Sequence, residues 1–166
     1  MRYSEKPEIS VEALVGVPPE SLWPLVTDLD LPARFSDEFQ GATWASGVDG
    51  AGLGAVFLGR NRHPAIGEWE VACTVIDFEI NRRFGWAVGA VDDPAACWRF
   101  EIDPHGEGSL LRQWAQMGPG PSGLTPMIER DPDGEEALVE MRLTMWRGNM
   151  EATVAGIKAL AEANRT

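Results

Sequence analysis

The stretch GEEALVEMRLTMWRGNMEATVAGIKALAEAN, residues 134–164, decides the fold. At 100° per residue it reads as one long helix from Gly134 to Asn164. Glu136, Glu140, Arg147, Glu151, Lys158 and Glu162 fall within about 40° of one line and mark a solvated edge. Leu138, Met141, Met145, Trp146, Met150, Ala152, Ile157, Leu160 and Ala161 spread over the rest, so the buried centre is expected opposite that edge. Arg142 and Asn149 point along this centre, one heptad and roughly 10 Å apart. An unpaired inward guanidinium is too costly, so Arg142 must find a partner or line a wet cavity. The helix is therefore expected to roof a pocket. Asp133 and Glu136 are placed to form a capping box at its start.

Working upstream, Gly118 to Asp133 carries four prolines and reads as a long loop with one helical turn near Pro126. Before it, five strands are expected, over Ala55–Arg62, Glu68–Phe78, Arg82–Val88, Ala96–Ile102 and Ser109–Met117, joined by turns rich in Gly, Pro and Asp. A strand around Ala42–Ser46 precedes the glycine-rich turn Gly47–Gly54. The chain opens with an alternating strand, Ile9–Val15. A short helix follows from Pro18-Pro19-Glu20, with Trp23, Leu25 and Val26 inward and Pro24 limiting its length. Asp30 is placed to cap a second short helix running to Phe39.

Charges fix the strand faces. In the hairpin around Pro64, positions summing to 130 pair Arg62 with Glu68 and Arg60 with Glu70, so that face is solvent. Phe57, Gly59 and Asn61 then oppose Trp69, Val71 and Cys73 on the other face. A sum of 184 pairs Arg83 with Glu101 outside and sets Phe84, Trp86, Trp98 and Phe100 inside. A sum of 213 pairs Glu101 with Arg112 and sets Leu111, Gln113, Ala115 and Met117 inside. The inward list is apolar and aromatic, interrupted by Asn61, Gln113, Asn149 and Arg142, the description of a small-molecule site. The alternatives are satisfied core polar groups for Asn61, Gln113 and Asn149, and for Arg142 a salt bridge to Asp28, Asp30, Asp37 or Glu38. Each tryptophan is likewise either core bulk or ligand wall.

The 166 residues suit one domain spanning 1–166, with no internal repeat or linker. A net charge of −12 and the lack of a basic stripe exclude a nucleic-acid partner and disfavour an anionic membrane surface. No apolar run is long enough for membrane insertion, and Met1–Ser10 lacks a signal-peptide core, so the cytoplasm is expected. Two cysteines, Cys73 and Cys97, fall on opposite sheet faces and form no bridge. Seven Trp against one Tyr is the unusual feature, since tryptophan is enriched around flat and aromatic ligands.

Gly50-Ala51-Gly52-Leu53-Gly54 runs into a strand, not a helix, so it is a turn and not a dinucleotide site. His63 and His105 have no ligand spacing with each other or with a cysteine, and no metal or cofactor is expected. There is no Gly-x-Ser-x-Gly elbow, and Cys73 has no neighbouring base.

Together these elements give an α+β chain: a curved antiparallel sheet of about seven strands wrapped around a long C-terminal helix, with two short helices after the first strand. This order resembles the START/Bet v 1-like (SRPBCC) helix-grip superfamily, and its bacterial polyketide cyclase/dehydrase-like branch. The likeness is carried by Val17-Pro18-Pro19-Glu20-Ser21-Leu22-Trp23 with Val26-Thr27-Asp28, by Gly54-Ala55-Val56-Phe57 with Gly59-Arg60-Asn61-Arg62, and by Arg83-Phe84-Gly85-Trp86. Asn149-Met150 running into Ile157-Lys158-Ala159-Leu160-Ala161-Glu162 completes it. The resemblance implies a deep cavity for lipids, sterols or polyketides, and in some members aldol closure and dehydration. Its enzymes use an arginine with a tyrosine or histidine. Here the single Tyr3 lies near the N-terminus and both histidines fall in predicted turns, so no acid or base follows from the motif.

The expected partner is a hydrophobic, aromatic or polyketide-like small molecule, with homodimer formation left open. Trp69, Trp86 and Trp98 would form walls, Asn61, Gln113 and Asn149 would orient the ligand, and Arg142 would meet a carbonyl, enolate or carboxylate. Arg142 is the candidate catalytic residue if the protein is a cyclase/dehydratase. The alternatives are a non-catalytic lipid or small-molecule carrier or sensor, and a protein-interaction module on the same fold.

Overall fold

The opening strand β1 (Glu8–Val15) is followed by helix α1 (Pro19–Val26) and then by strands β2 (Phe39–Trp44), β3 (Val56–His63), β4 (Gly67–Glu79), β5 (Arg83–Ala90), β6 (Asp93–His105) and β7 (Gly108–Met117). Helices α2 (Thr125–Arg130) and α3 (Glu135–Ala163) close the chain. These elements come from a computed structural model that describes residues 1–164. All seven strands form one antiparallel sheet in the order β1-β7-β6-β5-β4-β3-β2. The first strand thus returns to pair with the last, and β2 forms the opposite edge.

The hairpin registers are those the charges predict. Arg62 pairs with Glu68, Arg83 with Glu101 and Glu101 with Arg112. On the convex face Arg112 bridges Glu101 at 2.9 Å and Glu12 at 3.0 Å, tying β7 to both neighbours. Arg83 instead turns back to Asp77 and Glu79 of β4, at 3.0 and 2.9 Å, while Arg99 takes the other side of Glu101. Register shifts at Phe39/Gly41, at Val75/Asp77 and opposite Val88/Gly89, where Ala95 is the extra residue, bend β2, β4 and β6. This bending curls the sheet around α3.

Helix α3 lies against β1, with β7 and α1 beside it. Its C-terminal half buries Val154, Ile157 and Ala161 in a core with Leu22, Val26, Ile102 and Leu111. Its N-terminal half buries Val139, Trp146 and Met150 with Tyr3, Ile9, Ala115 and Met117. The concave faces of β3, β4 and β5 are left looking across open space.

Four local expectations are corrected. The buried residues of α3 are Glu135, Val139, Trp146, Met150, Thr153, Val154, Ile157 and Ala161. Met141 is 51% exposed and Ala152 is also exposed. The buried stripe is therefore rotated by roughly 80° from the predicted centre at 100° per residue. The reason is that the curled sheet meets the helix at β1, not symmetrically opposite the charges. Arg142 and Asn149 consequently stand on the shoulder of the stripe. In α1 the fully buried pair is Leu22 and Val26, one turn apart, and Trp23 and Leu25 pack at the margin.

The second short helix is only a 3-10 turn, Leu31–Arg34, because the Asp30 carboxylate accepts from the backbone N–H of Ala42, at 3.1 Å, instead of capping it. Phe39 already belongs to β2. At the start of α3 no capping box forms, and the Asp131 side chain accepts from Gly134 N at 3.3 Å. The first-turn acids hold the N-terminal segment instead. Glu135 accepts from Tyr3 N at 2.9 Å and pairs with Arg2, while Glu136 pairs with the terminal amine of Met1. Both sit at the positive end of the helix dipole.

Candidate functional site

Between the concave face and α3 lies a cavity of about 500 Å³. Strands β3 and β4 supply Phe57, Asn61, Trp69, Val71 and Cys73 to its wall, β5 and β6 supply Phe84, Trp86, Trp98 and Phe100, and β7 supplies Gln113 and Met117. Period-two alternation places each of these on one face. Helix α3 contributes Arg142, Trp146, Asn149, Met150 and Thr153. All seven residues singled out from the sequence, Asn61, Trp69, Trp86, Trp98, Gln113, Arg142 and Asn149, line this one space.

The tryptophans divide by role. Trp69, Trp86, Trp98 and Trp146 line the cavity. Trp86 is the hub of the wall, with ring centroids 5.8 Å from Phe57, 5.3 Å from Phe84 and 6.2 Å from Phe100. Trp98 meets Trp146 of α3 at 4.7 Å and joins sheet to helix there. Trp23 and Trp44 are core residues packed on Phe78 and Phe57. Trp114 lies on the convex face beneath the Arg99 guanidinium, 4.4 Å away.

The polar groups are arranged in two ways. One set joins α3 to the segment 35–38 that leads into β2. Arg142 binds Glu38 in a bidentate pair, at 2.6 and 2.5 Å. Asn149 Oδ1 accepts from Asp37 N at 3.5 Å, and Gly156 leaves the space occupied by the Phe35 ring. Residues 142, 149 and 156 are spaced a heptad apart, so one shoulder of the helix meets the segment three times. Glu38, missed as a site residue, is the acid that satisfies Arg142. The acidic run that contains it was the available signal, but sequence spacing could not choose among its four carboxylates.

The other polar groups stand apart from this contact. Gln113 is buried on β7, and its Oε1 has no hydrogen-bond partner among the described residues. Such a group costs free energy. Asn61 faces the same space beside Trp69 across the β3–β4 ladder. Tyr3, also missed, reaches the wall from the N-terminal 3-10 turn, where its hydroxyl donates to Gly120 O at 2.6 Å. Burial pushes its pKa up.

Burial pushes the Cys73 thiol up to about 12, so it is protonated at neutral pH and a poor nucleophile. Cys73 and Cys97 are both free thiols. His63 and His105 end strands β3 and β6 and lie off the cavity wall. No group of three or more His, Cys, Asp or Glu among the described residues could hold a metal ion, and no helix among them is long and apolar enough to cross a membrane.

Residues 6–162 match the family described as polyketide cyclase / dehydrase and lipid transport. No curated protein matches the chain. Among solved structures, the solution structure of a polyketide_cyc-like protein from Corynebacterium glutamicum is similar at a TM-score of 0.67 and 24% identity, over 94% of this chain and 91% of that one. The allergen Ara h 8.0201 is similar at a TM-score of 0.59 and 13% identity, over 95% and 99% of the two chains. The di-domain ARO/CYC StfQ of the steffimycin biosynthetic pathway aligns at 0.64 and 12% identity, over 93% of this chain and 51% of that one. These likenesses establish the helix-grip fold.

Proposed function

The chain belongs to the polyketide cyclase / dehydrase and lipid transport family, and from that premise we propose that its cavity binds a hydrophobic, aromatic or polyketide-like small molecule. The observation that carries this reading is the roughly 500 Å³ space walled by Trp69, Trp86 and Trp98. Rings of this kind offer a flat ligand stacking and edge contacts on several sides. Asn61, Gln113 and Asn149 would orient it.

The test is direct. Native mass spectrometry of the purified protein should reveal a bound small molecule, and a neutral apolar dye such as Nile red should quench tryptophan fluorescence saturably. Trp86→Leu should weaken the dye. A protein that binds no dye and carries no ligand refutes the proposal and favours an interaction module.

A second reading adds chemistry: cyclisation or dehydration through Arg142. Its support is the guanidinium on the cavity wall together with the cyclase members of the family. In this reading Glu38 shares its arginine with a developing enolate. Incubating the recovered ligand with the protein separates the two, since a carrier returns the compound unchanged.

A further inference from the structure

Resting on the ligand-binding reading, we infer that this cavity selects uncharged ligands, and that Glu38 is the residue that sets the selectivity. Four observations carry the inference. Among the described residues, Arg142 is the only lysine or arginine on the cavity wall. Both its terminal nitrogens are engaged by Glu38. The two side chains are only 14% and 13% exposed, so water screens their attraction little and an incoming anion competes poorly for the arginine. The one other charged wall residue is Asp28, which is negative and exposed.

What remains for a ligand is neutral: the amides of Asn61, Gln113 and Asn149. Of these, Gln113 is more than nine-tenths buried and lines the space, while its Oε1, itself sealed away, has no hydrogen-bond partner among the described residues. A ligand hydroxyl, carbonyl or amide can meet whichever end of the carboxamide lines the space, its N–H or its oxygen. A carboxylate placed in the same space would lose its hydration and gain no cation. It would enter only as the protonated acid. The net charge of −12 adds long-range repulsion of the same sign.

The experiment is displacement of Nile red from the intact protein by dodecanol and by dodecanoate, both kept below micelle formation. Dodecanol should compete equally well at every pH. Dodecanoate should weaken about ten-fold for each pH unit between about pH 6 and pH 8, as only its neutral form is accepted. In E38Q the arginine is freed, and the alcohol-to-carboxylate preference should invert by about ten-fold or more. The doubly neutral E38Q/R142M should keep the alcohol preference, which separates charge from a loosened wall. Pre-formed wild-type selectivity for dodecanoate, or a pH-independent dodecanoate affinity, overturns the inference while leaving ligand binding intact. Nile red failing to bind the wild-type protein overturns the ligand-binding reading itself.

Discussion

Two glycines eight residues apart on α3 should respond oppositely to the same methyl group. Gly148 is exposed, and a Cβ built there meets nothing within 4 Å. Gly148→Ala should therefore recover the helix-propensity difference, about 0.8–1 kcal/mol of added stability. A Cβ on Gly156 falls 2.6 Å from Phe35 Cδ1 and closer still to Cε1 and Cζ. The same propensity gain is then set against displacement of a packed ring, about 1–3 kcal/mol of overpacking. Gly156→Ala should come out less stable than Gly148→Ala by about 1–3 kcal/mol, or roughly 2–4 °C in Tm per kcal/mol for a chain of this size. Urea and thermal unfolding followed by far-UV circular dichroism measure both. In a Phe35→Ala background the difference should vanish, since the cycle isolates the ring–methyl contact. Equal stabilisation at both positions would mean that Phe35 does not rest on the helix, and that the cavity wall it anchors is open.

Removing one partner of the Glu38–Arg142 pair should cost more than removing both. Arg142→Met should lose about 2–4 kcal/mol in chemical denaturation, and adding Glu38→Gln should restore most of it. Gln113→Leu replaces an unpaired buried amide with an apolar group of similar size, and should raise the stability of the ligand-free protein by about 1 kcal/mol. For the thiols, alkylation at pH 8 should label half-buried Cys97 well before Cys73, and peptide mapping would show the order. Cys73 also carries a pH signature. Its thiol ionises near 9 in the unfolded chain and about 12 in the fold, so across that window the native state retains a proton the unfolded state has lost. Stability should fall as pH rises through the window, by at most about 1.4 kcal/mol per unit, and Cys73→Ala should flatten that part of the profile.

The sheet was readable because opposite charges on Arg62/Glu68, Arg83/Glu101 and Glu101/Arg112 pinned three registers, and a period of two then carried every other side chain to a face. That Arg142 needs company was readable from the helical period alone. Which carboxylate supplies it was not, because Glu38 lies 104 positions away in a segment without periodicity. The rotation of α3 was misjudged for a related reason. A wheel locates the wet side by its charges, but the dry side is set by where β1 lies. Asp30 shows the limit of capping rules, since its carboxylate has a tertiary alternative in the Ala42 amide. Tyr3 stands in view as the single tyrosine, but three residues of 3-10 turn leave no pattern that would carry it to the cavity wall.

The three-fold meeting of segment 35–38 with Arg142, Asn149 and Gly156 also bears on how this chain can change over evolutionary time. Substitutions at the outward positions between them, such as Glu151 and Ala152, alter only surface. An insertion or deletion of a single codon there would swing everything beyond it by about 100°. At least one clasp would be turned away from the segment. Homologues should therefore vary freely in composition along these two turns of outer surface while keeping their length constant, with gaps confined to the loops.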